Sequence, residues 1–466
     1  MKILKFGGSS LADGSRINAV AEIVSSASKG GPIGVVLSAM EGITDSLIAS
    51  AREAEKGNDR YRDLIDAIKG KHLDAIRVLF PPRDQARVIT PVQIMINDLE
   101  EVLRGIELVR ECSPRSLDLV MSFGERLNCT IVTEYMTSTG LDATQVDARD
   151  IILTDSHFGN ASVNFNESYQ RIKDNLSPMR SIPVVTGFIA STENKVTTTL
   201  GRTGADYTAS IIAAGLAAEL IEIWTDFDGV MSADPKYVEE AFVIPVLTYK
   251  EAMELSYFGA NYMHPYTMIP AVENDIPITI KNFFQPNAPG TRICSTVSKR
   301  SRPVTGIASI DQVALVNVEG GGMIGIPGMA ARIFGALARE SVNIIMISQA
   351  SSEHSICLGF KEQEADKVLR ALHDELAREI ETKRIEKLDL MRDLVIIAVI
   401  GENMRGTPGI SGKLFSSLGK SGINVLAIAQ GSSERNISFV VEKEDEGDAL
   451  RTIHRAFLSD SVGEKE

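Results

Sequence analysis

One stretch of this chain repeats itself. Met323-Ile-Gly-Ile-Pro-Gly, through Asn343 to Gln349-Ala-Ser-Ser-Glu, realigns without a gap on Met404-Arg-Gly-Thr-Pro-Gly, through Asn424 to Gln430-Gly-Ser-Ser-Glu. The C-terminal region must therefore fold as two copies of one supersecondary unit. Each copy reads strand (313–318; 394–399), Pro-Gly turn, helix (330–339; 411–418), strand (342–348; 423–429), then a further strand. That order suits a ferredoxin-like βαββαβ module. In each copy the Gly before Pro-Gly and the later Gln-x-Ser-Ser fall near strand ends, where backbone N–H groups and a Gln amide can hold a zwitterionic amino acid. A pure turn role stands beside that reading, and recurrence in both copies favours the ligand site.

Ahead of the repeat, short Val/Ile-rich runs alternate with helical patterns: 3–6, 33–38, 183–189, 221–226 and 277–282 read as buried strands. Such alternation argues for an α/β sheet with helices on both faces. Residues 46–110 turn long, charged and helical, broken at Pro81-Pro82, a helical excursion from the sheet. Gln285-Pro-Asn-Ala-Pro-Gly290 marks the boundary. The expected organisation is an α/β domain over 1–295, then modules over 303–385 and 393–462.

The 62 Asp plus Glu against 48 Lys plus Arg give a net charge of -14, which disfavours nucleic acid or an anionic membrane as partner. Four scattered cysteines, with no CxxC pair and no His at zinc spacing, fit reduced thiols in a cytosol. The N-terminus runs straight into a strand and Gly7-Gly8, which leaves no room for a signal peptide. No run approaches the roughly 18 apolar residues of a membrane helix, and 209–220 reads as a buried helix.

Lys5-Phe-Gly-Gly-Ser-Ser10 follows the first strand, and glycines there let N–H groups approach a phosphate, with a helix expected from near Ser15. Alone, a Gly-Gly turn is more often structural, and no GxxxxGK[ST] occurs. Gly201-Arg-Thr-Gly-Ala-Asp206 is a second Gly-rich turn, whose Arg suits a carboxylate or phosphate and whose Asp can fix Lys5, help hold a metal, or simply cap a helix. Trp224-Thr-Asp-Phe-Asp-Gly-Val230 and Ala233-Asp-Pro-Lys236 leave a strand for a polar loop, where open α/β sheets bind ligands. Phe123-Gly-Glu-Arg-Leu127 reads as a turn after an apolar stretch. Gly320-Gly-Gly-Met-Ile-Gly325 satisfies the dinucleotide GxGxxG, but its repeat partner Gly401-Glu-Asn-Met-Arg-Gly406 lacks the middle glycine, so a nicotinamide site is rejected.

Together KFGGSS at Lys5, SAMEGITD at Ser38, SFGERL at Ser122, VVTGFIA at Val184, TTLGRTGADYTA at Thr198, IWTDFDGVMSADPK at Ile223, EAMELSYFGANYMHP at Glu251 and the paired modules resemble the amino-acid kinase superfamily. Specifically, essentially the whole chain resembles the aspartate kinases with two ACT domains. The resemblance implies a carbamate-kinase-like three-layer αβα catalytic domain followed by two ACT modules, ATP with Mg²⁺, and transfer to the side-chain carboxylate of aspartate. It also implies a cytoplasmic homodimer or larger, with lysine or threonine as effector. By that resemblance Lys5, Gly7, Gly8 and Ser9 hold ATP phosphates, and Asp206 orients Lys5. Thr44, Glu125, Arg202 and Gly204 match aspartate positions, with Glu125 suited to the ammonium and Arg202 to a carboxylate. Thr225, Asp226, Met231, Lys236, Asn261 and Tyr262 match nucleotide positions. Gly325, Pro327, Asn343 and Gln349, with Asn424 and Gln430, are the effector candidates.

An aspartate side chain of pKa near 3.9 is already ionised at neutral pH, so the reaction needs no general base. Positive charge and aligned N–H groups must instead bring two anions together. The chain departs from the commonest family pattern: Thr203 and Ala205 replace Gly and Ser in the Gly-rich turn, Met231 a Tyr, Lys236 an Arg and Asn261 a Lys. The rivals are a related kinase acting on glutamate or acetylglutamate, and a non-catalytic ACT-based amino-acid sensor.

Overall fold

The computed structural model describes residues 1–259, 262–297, 302–321, 328–349 and 354–459. It divides into two units: Met1–Val230, Pro245–Tyr249 and Tyr262–Val297 form the first, and Met231–Ile244, Lys250–Asn261 and Ser298–Glu466 the second.

In the first unit eight strands form one sheet, in the order Ala143–Val146, Ile182–Thr186, Ile33–Leu37, Lys2–Phe6, Leu220–Thr225, Ile278–Asn282, Thr291–Cys294 and Val246–Thr248. Lys2–Phe6 lies parallel to both neighbours, with Lys5 opposite Val36 and Ile223. Ile33–Leu37 is buried at every position, as a parallel strand covered on both faces requires. Its C-terminal end, and that of Lys2–Phe6, therefore open on the same edge.

The sequence reads one strand over 183–189, and the structure breaks it. Ile182–Thr186 stays in the large sheet, whereas Ile189–Thr192 joins Leu153–Thr154 and Thr197–Thr199 in a small one. The reason is a close approach at Gly187, where a Cβ would come 2.7 Å from Ala205 Cβ, followed by Phe188 at φ +68°. The charged stretch after the second strand forms three helices, Ile43–Lys56, Arg60–Leu79 and Pro82–Val109. Pro82 costs little at a first helical position, whose N–H has no partner anyway.

A second correction concerns Glu125. It sits on no turn but midway along the helix Pro114–Ser138, whose N-terminus Ser113 caps by accepting from the Ser116 N–H at 3.2 Å. Gly124 is a spacer, since a Cβ there would lie 2.9 Å from Ala39 Cβ. Removing that Cβ lets the helix press against the loop that leaves Ile33–Leu37.

The second unit carries a six-stranded sheet in the order Ile344–Gln349, Ser355–Lys361, Gly306–Glu319, Lys387–Ile400, Asn436–Glu442, Ala427–Gln430. The two central strands are long, and each serves both modules. Val313–Glu319 pairs with Ser355–Lys361, while Gly306–Ile310 pairs with Ile396–Ile400. The second module thus draws its outer strand from residues that precede the first. The register shifts between the halves, where Gln312 and Asp393 take left-handed φ of 54° and 56°. Each module has its own core under two helices, Met329–Arg339 with Ala365–Glu375 and Ile410–Lys420 with Glu446–Phe457.

Candidate functional site

The first unit has a cleft of about 540 Å³ where its strand ends meet the helix Gly204–Gly215. Lys5, Gly8, Thr44, Glu125, Arg202, Gly204 and Asp206 all line it, although they come from four separate stretches of sequence. Lys5 reaches from the penultimate position of its strand to Asp206, with Nζ 2.5 Å from Oδ1 and side-chain exposures of 11% and 5%. Asp206 stands in the first turn of its helix, so the macrodipole favours its negative charge. The pair fixes an ammonium in the cleft wall. Gly7 lies beside it, at an ordinary contact distance of 3.5 Å for an added Cβ, and Gly8 lies more tightly against the Ala39 carbonyl.

Glu125 is the unusual group. It is 3% exposed, and burial pushes its carboxyl up to about 8 against the weaker pull of hydrogen bonds. One oxygen accepts from the Ala39 N–H at 3.3 Å. The other has no hydrogen-bond partner among the described residues. A buried carboxylate oxygen left in that state costs free energy until a cation meets it.

Arg202 is exposed, between Gly201 at φ 75° and Thr203 at φ 52°. The departure noted at Thr203 thus falls where a glycine is conformationally at ease and a β-branched residue is not. Ala205, in place of the commoner serine, faces Gly187 rather than leaving a void.

Other predicted residues lie elsewhere. Gly7 and Ser9 belong to the Lys5 turn but not to the cleft lining, and a 3-10 turn over Gly8–Leu11 delays the following helix to Gly14. Thr225 ends the strand beside Lys5 and Asp226 follows it, the Thr hydroxyl donating to Asp226 Oδ1 at 3.2 Å. Tyr262 is buried in the first unit. Met231 and Lys236 belong to the second unit. Asn261, Gly325 and Pro327 lie outside the described residues. In the second unit Gln430 lines a hollow of about 120 Å³ with Met404, Thr407, Gly409 and Glu434. Asn343, Gln349 and Asn424 are exposed.

Sequence reasoning missed a supporting row. Asp118, Met121, Glu125 and Asn128 recur at helical spacing and so share one helix face. Asp118 is fully buried and accepts from the N–H groups of Gly159 and Thr199 and from the Thr199 hydroxyl, at 2.9, 3.0 and 2.8 Å. Asn128 donates to the Ser38 carbonyl at 2.6 Å. These contacts hold the Ser38 loop and the 159 and 199 walls. The signal was the spacing, visible only once the segment is taken as helix.

Residues 1–282 match the amino acid kinase family, and 316–376 and 397–457 each match an ACT domain. The chain is 40% identical over 464 residues to the chloroplastic bifunctional aspartokinase/homoserine dehydrogenase 2 of Arabidopsis thaliana, spanning 98% of this chain and 50% of that protein. It therefore covers half the length of that relative. With the chloroplastic aspartokinase 1 of Arabidopsis thaliana it shares 31% identity over 98% of this chain and 80% of the other. Among solved structures, E. coli aspartokinase III with aspartate and ADP (R-state) matches at TM-score 0.82 and 27% identity, covering 98% of this chain and 100% of that one. Its complex with lysine and aspartate (T-state) matches at 0.80 and 28%, with the same coverage. The family match over the α/β part, the paired ACT matches and the aspartokinase relatives place this chain in the amino acid kinase family, among its aspartokinases.

Proposed function

We propose that the chain is an aspartate kinase, transferring the γ-phosphoryl group of MgATP to the side-chain carboxylate of L-aspartate to give 4-phospho-L-aspartate, the first step toward lysine, threonine and methionine. The observation that carries this is the unpartnered, buried Glu125 oxygen in one cleft with the Arg202 guanidinium and the Lys5–Asp206 pair. An amino acid brings an ammonium to Glu125 and a carboxylate to Arg202, which leaves its second carboxylate to react. That oxygen forms a bond to the γ-phosphorus as the bond to the bridging oxygen breaks, and the electron pair leaves with ADP. No proton moves, so no general base is required. Lys5 stabilises the charge on the transferred group, and Asp206 keeps it aimed.

Thr225, Asp226 and Tyr262, with Met231, Lys236 and Asn261, are the residues we assign to the nucleotide, on the resemblance. Mg²⁺ would neutralise the phosphates. Such an ion is held mainly by phosphate oxygens and water. E. coli aspartokinase III holding aspartate and ADP in one state and lysine in another supports the substrate and effector classes. We propose lysine or threonine at the ACT modules, with Gln430 and its repeat partner Gln349 as contacts.

A homodimer or larger assembly is supported by Ile347 and Ile428, equivalent positions of the repeat that expose 48% and 44% on the two outermost strands. A reducing, cytoplasmic setting suits the four free cysteines, and no described helix is long and apolar enough to cross a membrane. The deciding assay is ATP-dependent aspartyl hydroxamate formation by purified protein. Turnover with aspartate and not glutamate is expected. Folded protein without turnover on either would put an ACT-based amino-acid sensor in its place.

A further inference from the structure

Residues 231–244 interrupt the first unit in sequence but belong to the second in space. Ala233 and Val238 are 2% and 1% exposed and share a core with Leu450, Ile453 and Phe457 of the last ACT helix. Ser232, fully buried, is tied by every polar atom it has. Its N–H donates to the Phe242 carbonyl at 2.8 Å, its own carbonyl accepts from the Ile307 N–H at 2.8 Å, and its Oγ accepts from the Phe242 N–H at 3.0 Å. The same Oγ lies 3.1 Å from Nε2 of His454, which is 1% exposed on the helix Glu446–Phe457. The Phe242 ring meets that imidazole edge-on at 6.0 Å, and Arg451 Nη1 donates to the Tyr237 carbonyl at 3.1 Å. On the outward side Asp234, Pro235 and Lys236 are exposed, with Asp234 Oδ1 accepting the Lys236 N–H at 2.8 Å.

A loop that only had to reach a ligand could run over the surface with none of this. Here one wall of the loop is ACT core, fixed by a buried Ser–His contact that has a narrow range of good geometries. We infer that His454 is a positioning residue: through Ser232 it holds the 231–244 segment to the last helix of the second ACT module, and so sets how Met231 and Lys236 are presented to the nucleotide. The inference rests on the nucleotide reading of those two residues.

The test is steady-state kinetics of the full chain, with ATP and aspartate varied separately. His454→Phe keeps the ring volume and removes the hydrogen bond, and it is expected to raise KM for ATP about fivefold, the worth of one buried hydrogen bond, with KM for aspartate unchanged. His454→Gln, whose amide reaches towards the same hydroxyl, is expected to restore part of the loss. Ser232→Ala removes the bond from the other side, and stands in if His454→Phe does not fold. Unchanged KM for ATP in the folded variants, or an equal rise for both substrates, overturns the inference. Lys236→Ala separates the two layers. If it leaves ATP kinetics untouched, the nucleotide reading falls and takes the inference with it. If it impairs ATP while the His454 and Ser232 variants do not, only the positioning role falls.

Discussion

The cleft of the first unit and the hollow around Gln430 in the second both gather polar groups at strand ends and helix starts, yet they treat burial in opposite ways. In the cleft Glu125 and Asp206 are 3% and 4% exposed, Asp118 holds the lining residues Gly159 and Thr199 from 0% exposure, and most of the oxygens of the three are committed to fixed partners. In the hollow Gln430 and Glu434 are exposed, and Glu434, at a left-handed φ of 54°, spans to the Gly406 N–H through one 2.7 Å contact. Fixed, desolvated charge stabilises a transition state without reorganising. Exposed groups with a single partner rearrange cheaply, as a site that exchanges a regulator requires. On the proposed function, the cleft is the part that acts and the hollow the part that responds.

Lys5→Ala strikes the first half of that contrast hardest. It removes the cleft's fixed cation and strands Asp206 in the wall, so kcat is expected to fall by about 10²–10³ or more, measured as hydroxamate formation by protein whose circular dichroism is unchanged. A loss below about tenfold would mean that the charge is not preorganised for the transferred group.

Glu125 sharpens the contrast through pH. Its folded carboxyl titrates near 8 rather than at the usual 4.5 because burial penalises the charge, so at pH 7 the empty cleft holds about nine-tenths of it protonated. A substrate ammonium favours the ionised form, and aspartate binding is expected to release close to one proton at pH 7 and almost none at pH 9. Calorimetry in buffers of different ionisation enthalpy reads this directly, and Glu125→Gln should abolish the release while weakening aspartate binding. The stability of the unliganded chain carries the same signature. A raised folded pKa means the contribution is complete below 4.5 and lost as pH rises to about 8, on the order of 5 kcal/mol in all. Glu125→Gln should flatten that fall, and proton uptake on binding would reverse the assignment.

These residues show what the sequence could and could not disclose. The parallel sheet, the helical excursion with its break at Pro81-Pro82 and the duplicated module were legible because buried strands, charged helices and repeats leave period and composition behind. Lys5, Arg202 and Asp206 were legible as Gly-flanked motifs. Glu125 was found by resemblance but placed on a turn, because Gly124 reads locally as a breaker, although tertiary packing against Ala39 is what it serves. Asp118 and Asn128 escaped notice because their partners are loops 41 and 90 residues away in sequence. The exchange of Gly306–Ile310 into the second module, and of 231–244 into the second unit, depend on register and packing that no local pattern records.

The responsive half of the contrast is tested at Gln430. Gln430→Ala is expected to weaken binding of the effecting amino acid about tenfold, the worth of one or two hydrogen bonds, and to leave kcat and both KM values without effector unchanged. Isothermal titration with lysine and with threonine, run in parallel with inhibition curves, identifies which one binds. The same substitution at Gln349 reports whether the two modules bind alike. A change in basal kcat would mean that the hollow is coupled to catalysis even when empty, which would erase the distinction drawn between the two sites.

The smallest effect is expected where the two behaviours meet, at the exposed turn of the buried cleft. Thr203 holds φ 52° and ψ 31° at the cap of the helix Gly204–Gly215 and gives that helix no side-chain cap. Its hydroxyl donates to the Arg202 carbonyl at 2.8 Å instead. A β-branched residue in that region costs about 1–3 kcal/mol, and Thr203→Gly removes the cost while adding up to about 1 kcal/mol of backbone entropy to the unfolded chain. The net expectation is a gain of about 0–2 kcal/mol in urea stability, together with a higher KM for aspartate and an unchanged KM for ATP, because a freer turn presents Arg202 less sharply. Stability that falls would show the conformation to be relaxed in this chain. A KM for aspartate that stays put would show that Arg202 is placed by the substrate rather than by the turn, and the cleft would then be preorganised at Lys5 and Glu125 alone.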